Sequence, residues 1–358
     1  MGPFFFMEKK YQITFDPEVA EVLYQNTISL VLSTYQAGKV MVIGSINGNS
    51  LHQIPFSFKK PMGIALEGSK MAIAGLDEIL FLSNNENIVD TIKLNENNFD
   101  TVFLQKAAYT TSTLDIHEIK FGDGVLWGVN TLFSCLCTFD INYSFRPKWK
   151  PNFINSLTPE DKCHLNGMVL KDGIPKYVTA LSQTNSKDGW REKIMSTGVL
   201  LEVPSSAVIL DSLSMPHSPR LIGEDLYLLE SGSGRLLKVD VEKKSYEIVY
   251  EFNRFIRGMV HYNGFLFIGA SQIRETSKSF NGLDVKKNST QAGIIVFDLN
   301  KRKKIGEINY LDTIEEIFDV QLIEGFLKPV ILTQNDERHK EIITFSGNVF
   351  WRKPKSTN

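Results

Sequence analysis

"HEIKFGDGVLWGVNTLFSCLCTFD" (residues 117–140) and "HSPRLIGEDLYLLESGSGRLLKVD" (217–240) match almost position for position. Each runs from a histidine into a short apolar strand, a turn of Gly and acidic residues, a second apolar strand, and a third that closes on Asp. The same opening recurs in "MGIALEGSKMAIAGLDEILFLS" (62–83) and "RGMVHYNGFLFIGASQ" (257–272). With altered turns it recurs again in "NGMVLKDGIPKYVTALSQ" (166–183) and "FDVQLIEGFLKPVILTQ" (318–334). "SLVLSTYQAGKVMVIGSINGNSLHQIPFSF" (29–58) resembles the later strands of one unit without its first.

Seven such units in 358 residues give about 51 residues each, the period of propeller blades built from four strands. The sequence therefore predicts an all-β chain forming one β-propeller domain over residues 1–358. Seven blades are expected, with six as the alternative. Residues 1–25 are read as an N-terminal extension, 26–353 as blades and 354–358 as a tail. Helical periodicity is confined to "PEVAEVLYQ" (17–25) and to a turn at "TPEDK" (158–162) with Thr158 as its N-cap. Long excursions at 142–162, 184–198 and 274–293 decorate the blades as loops, the type of segment that covers functional sites. Trp149 and Trp190 fall in two of them and are candidates to roof a mouth of the propeller. Trp127, Tyr227 and Phe267 align on second strands and are expected between blades.

The composition narrows the functional classes. With 39 basic and 41 acidic residues the net charge is −2, which gives no field for nucleic acid or anionic lipid. The basic run Lys301–Lys304 sits where a hairpin tip is expected. No apolar stretch approaches the roughly 18 residues of a membrane span, so no membrane association is expected. "MGPFFFMEKKYQ" has neither a basic leader nor a cleavage site. Three cysteines, Cys135, Cys137 and Cys163, form no disulfide framework or familiar zinc spacing, and a reducing, cytoplasmic setting is expected.

Aligning the units on their turns brings the chemistry together. The first strand of each propeller blade lines the central channel. His117 and His217 occupy the same slot at its start, Arg257 and Asn166 fill that slot in their units, and Met62 fills it in another. His164 lies two residues before Asn166, and strand alternation points both the same way. Glu316 stands likewise to Phe318. Pro216 and Pro219 stiffen the backbone around His217.

Three imidazoles from separate blades suit a transition metal ion, Fe(II), Cu, Zn or Mn, with open positions for water and substrate. His117, His164 and His217 are the candidate ligands. Glu316 is a fourth ligand or the carboxylate that orients a ring, and Asp319, Asp115 and Glu118 are further candidates for either role. Arg257 is the candidate anchor for a substrate carboxylate or phosphate. With Glu316 and Asn166 it makes up the candidate catalytic set.

Other features carry less. "ESGSGR" (230–235) lacks the strand-to-helix setting of a phosphate loop and reads as a hairpin turn. Cys163 and His164, adjacent in sequence, face opposite ways and make no nucleophile pair. His261 is read as structural, and His52 and His339 as surface residues.

"STYQAGKV" (33–40), "LDIHE" (114–118), "CHLNGM" (163–168), "MPHSPR" (215–220), "IRGM" (256–259) and "EEIFDV" (315–320) together resemble a bacterial family of conserved hypothetical proteins with a propeller-like domain of unknown function. The resemblance runs from about residue 25 to 335 and implies a propeller, with no activity attached. More distantly, the axial histidines are similar in arrangement to those of the carotenoid-cleaving oxygenases, propellers that hold Fe(II) with four histidines, whereas this chain offers three and a carboxylate.

The functional expectation is a metal-dependent enzyme acting on a small acidic or peptidyl substrate by oxidation or lytic cleavage. The alternatives are a metal-free lyase with a histidine base, and a propeller that binds a ligand or protein partner without chemistry.

Overall fold

The computed structural model describes residues 11–84, 88–91, 99–273, 280 and 282–352. The N-terminal Phe run, residues 274–279 and 281 of the third excursion, and the tail at 354–358 lie outside the described residues.

Among the described residues the strands form six radial sheets and one small hairpin. The six innermost strands are Asp319–Glu324, Ile64–Glu67, Ile116–Gly122, Leu165–Lys171, Pro216–Ile222 and Ile256–Tyr262. They head blades 1 to 6 in that order. Six blades replace the seven expected from the repeat count. The reason is the way the ring closes. The unit at 29–58, which lacked a first strand, receives it from the unit at 318–334, so the two counted units are one blade. Ile28–Thr34 pairs antiparallel with Asp319–Glu324 from Ile28 opposite Glu324 to Ser33 opposite Asp319. The rest of the 318–334 unit, Pro329–Leu332, adds in parallel to the outer edge of blade 2 against Thr101–Thr110. Ile13–Phe15 adds an outer strand to blade 6.

Alternating apolar residues on each strand face a neighbouring blade, and six hydrophobic clusters fill the six blade interfaces. Trp127, Tyr227 and Phe267 belong to these clusters, as their alignment predicted. Burial of these faces is the main stabilising contribution in such a ring, since no blade buries both its faces alone.

Pro17–Gln25 is a helix, with Pro17 pre-organised at its first turn and Glu18 favourable beside its N-terminus. Val19, Ala20, Val22 and Leu23 are buried, and the helix joins the cluster between blades 6 and 1. The turn at 158–162 is not helical; Thr158 instead bonds Glu160. The first excursion is partly ordinary blade, because Tyr143–Trp149 forms the outer strand of blade 3. Described residues of the other two excursions meet. Leu181, Trp190, Ile194, Met215, Phe255, Ile273, Leu283 and Val285 form one apolar cluster that roofs blades 4 to 6. Among the described residues no helix is long and apolar enough to cross a membrane.

Candidate functional site on the propeller axis

His117, Asn166, His217, Arg257 and Phe318 line one cavity on the axis with Glu118, Ser218 and Asp319. Its volume is ≈ 20 Å³, room for about one water. Four of the six inner strands carry a register irregularity at this level. The shifts fall at Ile116–Glu118, Leu165–Gly167, His217–Arg220 and Ile256–Met259. A bulge adds a residue and re-aims side chains, and the slot residues His117, Asn166, His217 and Arg257 sit at these irregularities. His164 does not reach the site by strand alternation. It precedes the strand, in the left-handed region at φ 51, and its ring meets His117 edge to face with centroids 4.8 Å apart.

All three histidines are held by Nδ1. His117 Nδ1 lies 3.2 Å from the Asp115 carbonyl and 2.8 Å from Thr131 Oγ1, whose own hydroxyl proton goes to the Leu165 carbonyl at 2.5 Å. His217 Nδ1 lies 2.9 Å from the Met215 carbonyl and 2.9 Å from Ser231 Oγ. His164 Nδ1 lies 2.8 Å from Oδ2 of Asp161. Carbonyls and carboxylates only accept, so each Nδ1 carries a proton. Blades 3 and 5 build this hold identically. Asp115 and Met215, each two residues before its histidine, adopt φ 51 and φ 54, which turns the carbonyl back toward the ring. Such conformations cost L-residues free energy and cluster at functional sites.

Burial, reinforced by the neighbouring Arg257, pushes His217 down to about 3. Burial, His164 and Arg257 push His117 well below the usual range. Both rings are neutral at physiological pH. Arg257 stacks over Phe318, with its guanidinium carbon 3.9 Å from the ring centroid, and pairs with Glu316. Glu316 thus meets Arg257, and the carboxylate that orients a ring is Asp161. Trp190 stacks on His164 at 4.2 Å and donates Nε1–H to the same Asp161 oxygen at 2.9 Å. Trp190 is therefore part of the roof. Trp149 is not, since its indole bonds the Pro204 carbonyl beside blade 4.

Below the histidines the axis is ionic. Glu118 is buried and accepts from Arg220 at 2.6 Å and from the Met168 amide at 2.6 Å, with Lys120 at 3.2 Å. Asp319 accepts from the Ile64 and Val320 amides. These two carboxylates tie blades together and orient no imidazole. Among the described residues, no group of three or more His, Cys, Asp or Glu side chains is disposed to hold a metal ion.

The remaining candidates resolve individually. Cys163 is a core residue whose thiol burial pushes up to about 12, which removes it as a nucleophile. Residues 230–235 form a strand-to-strand turn. His261 accepts from the Gly264 amide within its own hairpin. His52 and His339 are not plain surface residues. Burial and Lys328 push His52 down to about 4, and His339 Nε2 bonds the Gln105 carbonyl at 2.7 Å.

The six sequence stretches that carried the resemblance all meet here. Ser33 Oγ donates to the Met62 carbonyl and accepts from the Asp319 amide, and Tyr35 packs on Phe318. The fold and site together define a six-bladed β-propeller with a histidine-lined pocket at one mouth of its axis. The chain belongs to the family described as a domain of unknown function (DUF4915), whose model matches residues 17–332. Solved structures similar in fold include the nidogen/laminin complex, with 9% identity, a TM-score of 0.50, and coverage of 84% of this chain and 99% of that one. Another is a protein of unknown function from Bacteroides caccae, with 11% identity, a TM-score of 0.51, and coverage of 83% and 99%. No curated protein matches the chain.

Proposed function

We propose that this mouth is the active site of an enzyme that binds a small acidic or peptidyl substrate and moves a proton on it. The observation that carries the reading is the Asp161–His164 pair. Asp161 fixes the Nδ1–H tautomer of His164 and stabilises the imidazolium that forms when Nε2 accepts a proton, the role of an orienting carboxylate in acyl-transfer triads. The indole of Trp190, stacked on the same ring, favours that cation further. His117 and His217 are held too firmly neutral to serve as bases and act as hydrogen-bond acceptors. Arg257, braced by Glu316 and Phe318, anchors the substrate's anionic group, with Asn166 beside it in the cavity wall. The roof over blades 4 to 6 keeps bulk water from the reacting atoms.

A transition metal ion, Fe(II), Cu, Zn or Mn, is the second reading. The observation favouring it is that all three axial rings are anchored through Nδ1, as metal-binding histidines are. Against it, the side chains do not group as a three-ligand set, and the nearby Arg257 guanidinium opposes a second cation.

The deciding experiment screens small acids and peptides by mass spectrometry for turnover or solvent-deuterium uptake, with protein freed of metal by chelation. Uptake that survives chelation and is lost in His164→Ala supports the proton-transfer reading. Uptake that returns only on adding one of the four metals overturns it in favour of the second.

A further inference from the structure

The bonding capacity left over at this mouth describes its ligand. Asn166 is 5% exposed, lines the cavity, and has no hydrogen-bond partner for Nδ2 among the described residues. Among the described residues, buried Nε of Arg257, on the cavity wall, and buried Oε2 of its ion-pair partner Glu316, just behind that wall, are likewise without a hydrogen-bond partner. A buried polar group left unpaired is costly, so three in one cluster mark where a ligand completes the bonding. Two of the three are donors, on Asn166 and Arg257, and call for an anionic oxygen. The acceptors are Glu316 Oε2 and the lone pairs on Nε2 of His117 and His217, and they call for an N–H or O–H donor. A plain carboxylate answers only half of this set.

A neutral donor is the better match. The Arg257 guanidinium on the cavity wall repels an ammonium there, as it repels a proton on His117 and His217. The two carboxylates on that wall, Glu118 and Asp319, are already met by Arg220, Lys120 and backbone amides. The cavity is small, so the ligand enters by its polar end, a carboxylate oxygen beside the α-donor, and the rest stays under the roof.

Resting on the reading of this mouth as a substrate pocket, we propose that it selects a carboxylate whose α-substituent is a neutral hydrogen-bond donor. Two sources share that chemistry: the hydroxyl of a 2-hydroxy acid and the amide N–H of a peptide C-terminus. An α-ammonium is rejected.

Binding of acetate, glycolate, N-acetylglycine and glycine to the chelated protein, followed by NMR shifts and calorimetry, separates the cases. Glycolate or N-acetylglycine should bind at least about tenfold tighter than acetate, the value of one additional satisfied hydrogen bond, with glycine weakest. Which of the two binds tighter assigns the source. His117→Asn and His217→Asn, each checked for an unchanged thermal melt, should bring the preference over acetate close to unity while acetate still binds. Equal binding of all four acids overturns the donor selection and leaves the anion pocket standing, as does tightest binding of glycine. A preference that survives in both variants also overturns it, because the imidazoles are then not the acceptors. Failure of every acid to bind removes the anion pocket itself, and the proposed function with it.

Discussion

His164 and Asp161 form the one axial pair in which a histidine is held by a carboxylate, at 2.8 Å, while its two neighbours are held by carbonyls and hydroxyls. In the proposed reading, the difference sets three similar rings to different tasks. A carboxylate gains from a positive ring, and a carbonyl gains much less.

The first expected outcome concerns that pair. In Asp161→Asn the side-chain amide can present N–H to the ring and release the Nδ1–H tautomer. Long-range proton–nitrogen NMR should show His164 as Nδ1–H in the native protein and a mixture in the variant, with His117 and His217 unchanged. Where turnover is found, the variant should lose about 10²-fold or more, the usual contribution of a positioned base.

Acid should weaken the fold through His217. Its folded value of about 3 lies below the ordinary 6.5, so the unfolded chain takes up the proton first as pH falls. The stability tied to the neutral ring is fully present above 6.5 and is lost progressively as pH drops toward 3. The loss is about 1.4 kcal/mol per pH unit inside that window. Denaturant midpoints between pH 7.5 and 4.5 should fall less steeply in His217→Gln than in the native protein. Parallel slopes would show that the ring is not held neutral.

The ionic layer under the histidines should be costly to break on one side. Arg220→Ala leaves Glu118 with Lys120 alone as counter-charge in a buried setting, and about 3–5 kcal/mol of stability should be lost. Glu118→Leu combined with Arg220→Met removes both charges and should recover part of that loss. A double-mutant cycle of Glu118→Leu and Arg220→Met, with both single variants, read by urea denaturation measures the coupling. Coupling below about 0.5 kcal/mol would mean that the pair orders the axis without stabilising it.

The blade unit, the helix at 17–25 and the convergence of His117, His217 and Arg257 were legible because repeats, periodicity and slot alignment are local patterns. The blade count was not legible. It depends on Ile28 pairing with Glu324 across almost the whole chain, and no local pattern reports that. Register was lost for a related reason. Alternation assumes a regular strand, and the inner strands of blades 3 to 6 are irregular at the functional level. Asp161 was missed although its signal was present, an acidic residue one helical turn's spacing before His164 in a stretch that is in fact an irregular turn. Glu118 was read as a partner for His117, but adjacent residues leave a strand on opposite sides, and its partner Arg220 lies two blades away.

Ring closure gives the last prediction. Asp319–Glu324 supplies the inner strand of blade 1, and Phe318, Asp319 and Val320 also reach the axis, the Ser33 hydroxyl and the blade 6 interface. Truncation after residue 317 removes that strand, exposes the edge of Ile28–Thr34, and opens the apolar clusters on both sides of blade 1. The shortened chain should lack a cooperative thermal transition and aggregate through the exposed edge. Truncation after residue 336 removes the short helix Glu337–Glu341 and the hairpin of Ile342–Phe345 and Asn348–Trp351, which covers the outer edge of blade 2 through Ile342, Val349 and Trp351. That variant should keep a single cooperative melt at a lower midpoint, along with the axial histidine tautomers. Should the first truncation melt cooperatively at the native midpoint, the closure of the ring by its C-terminal strand would be refuted.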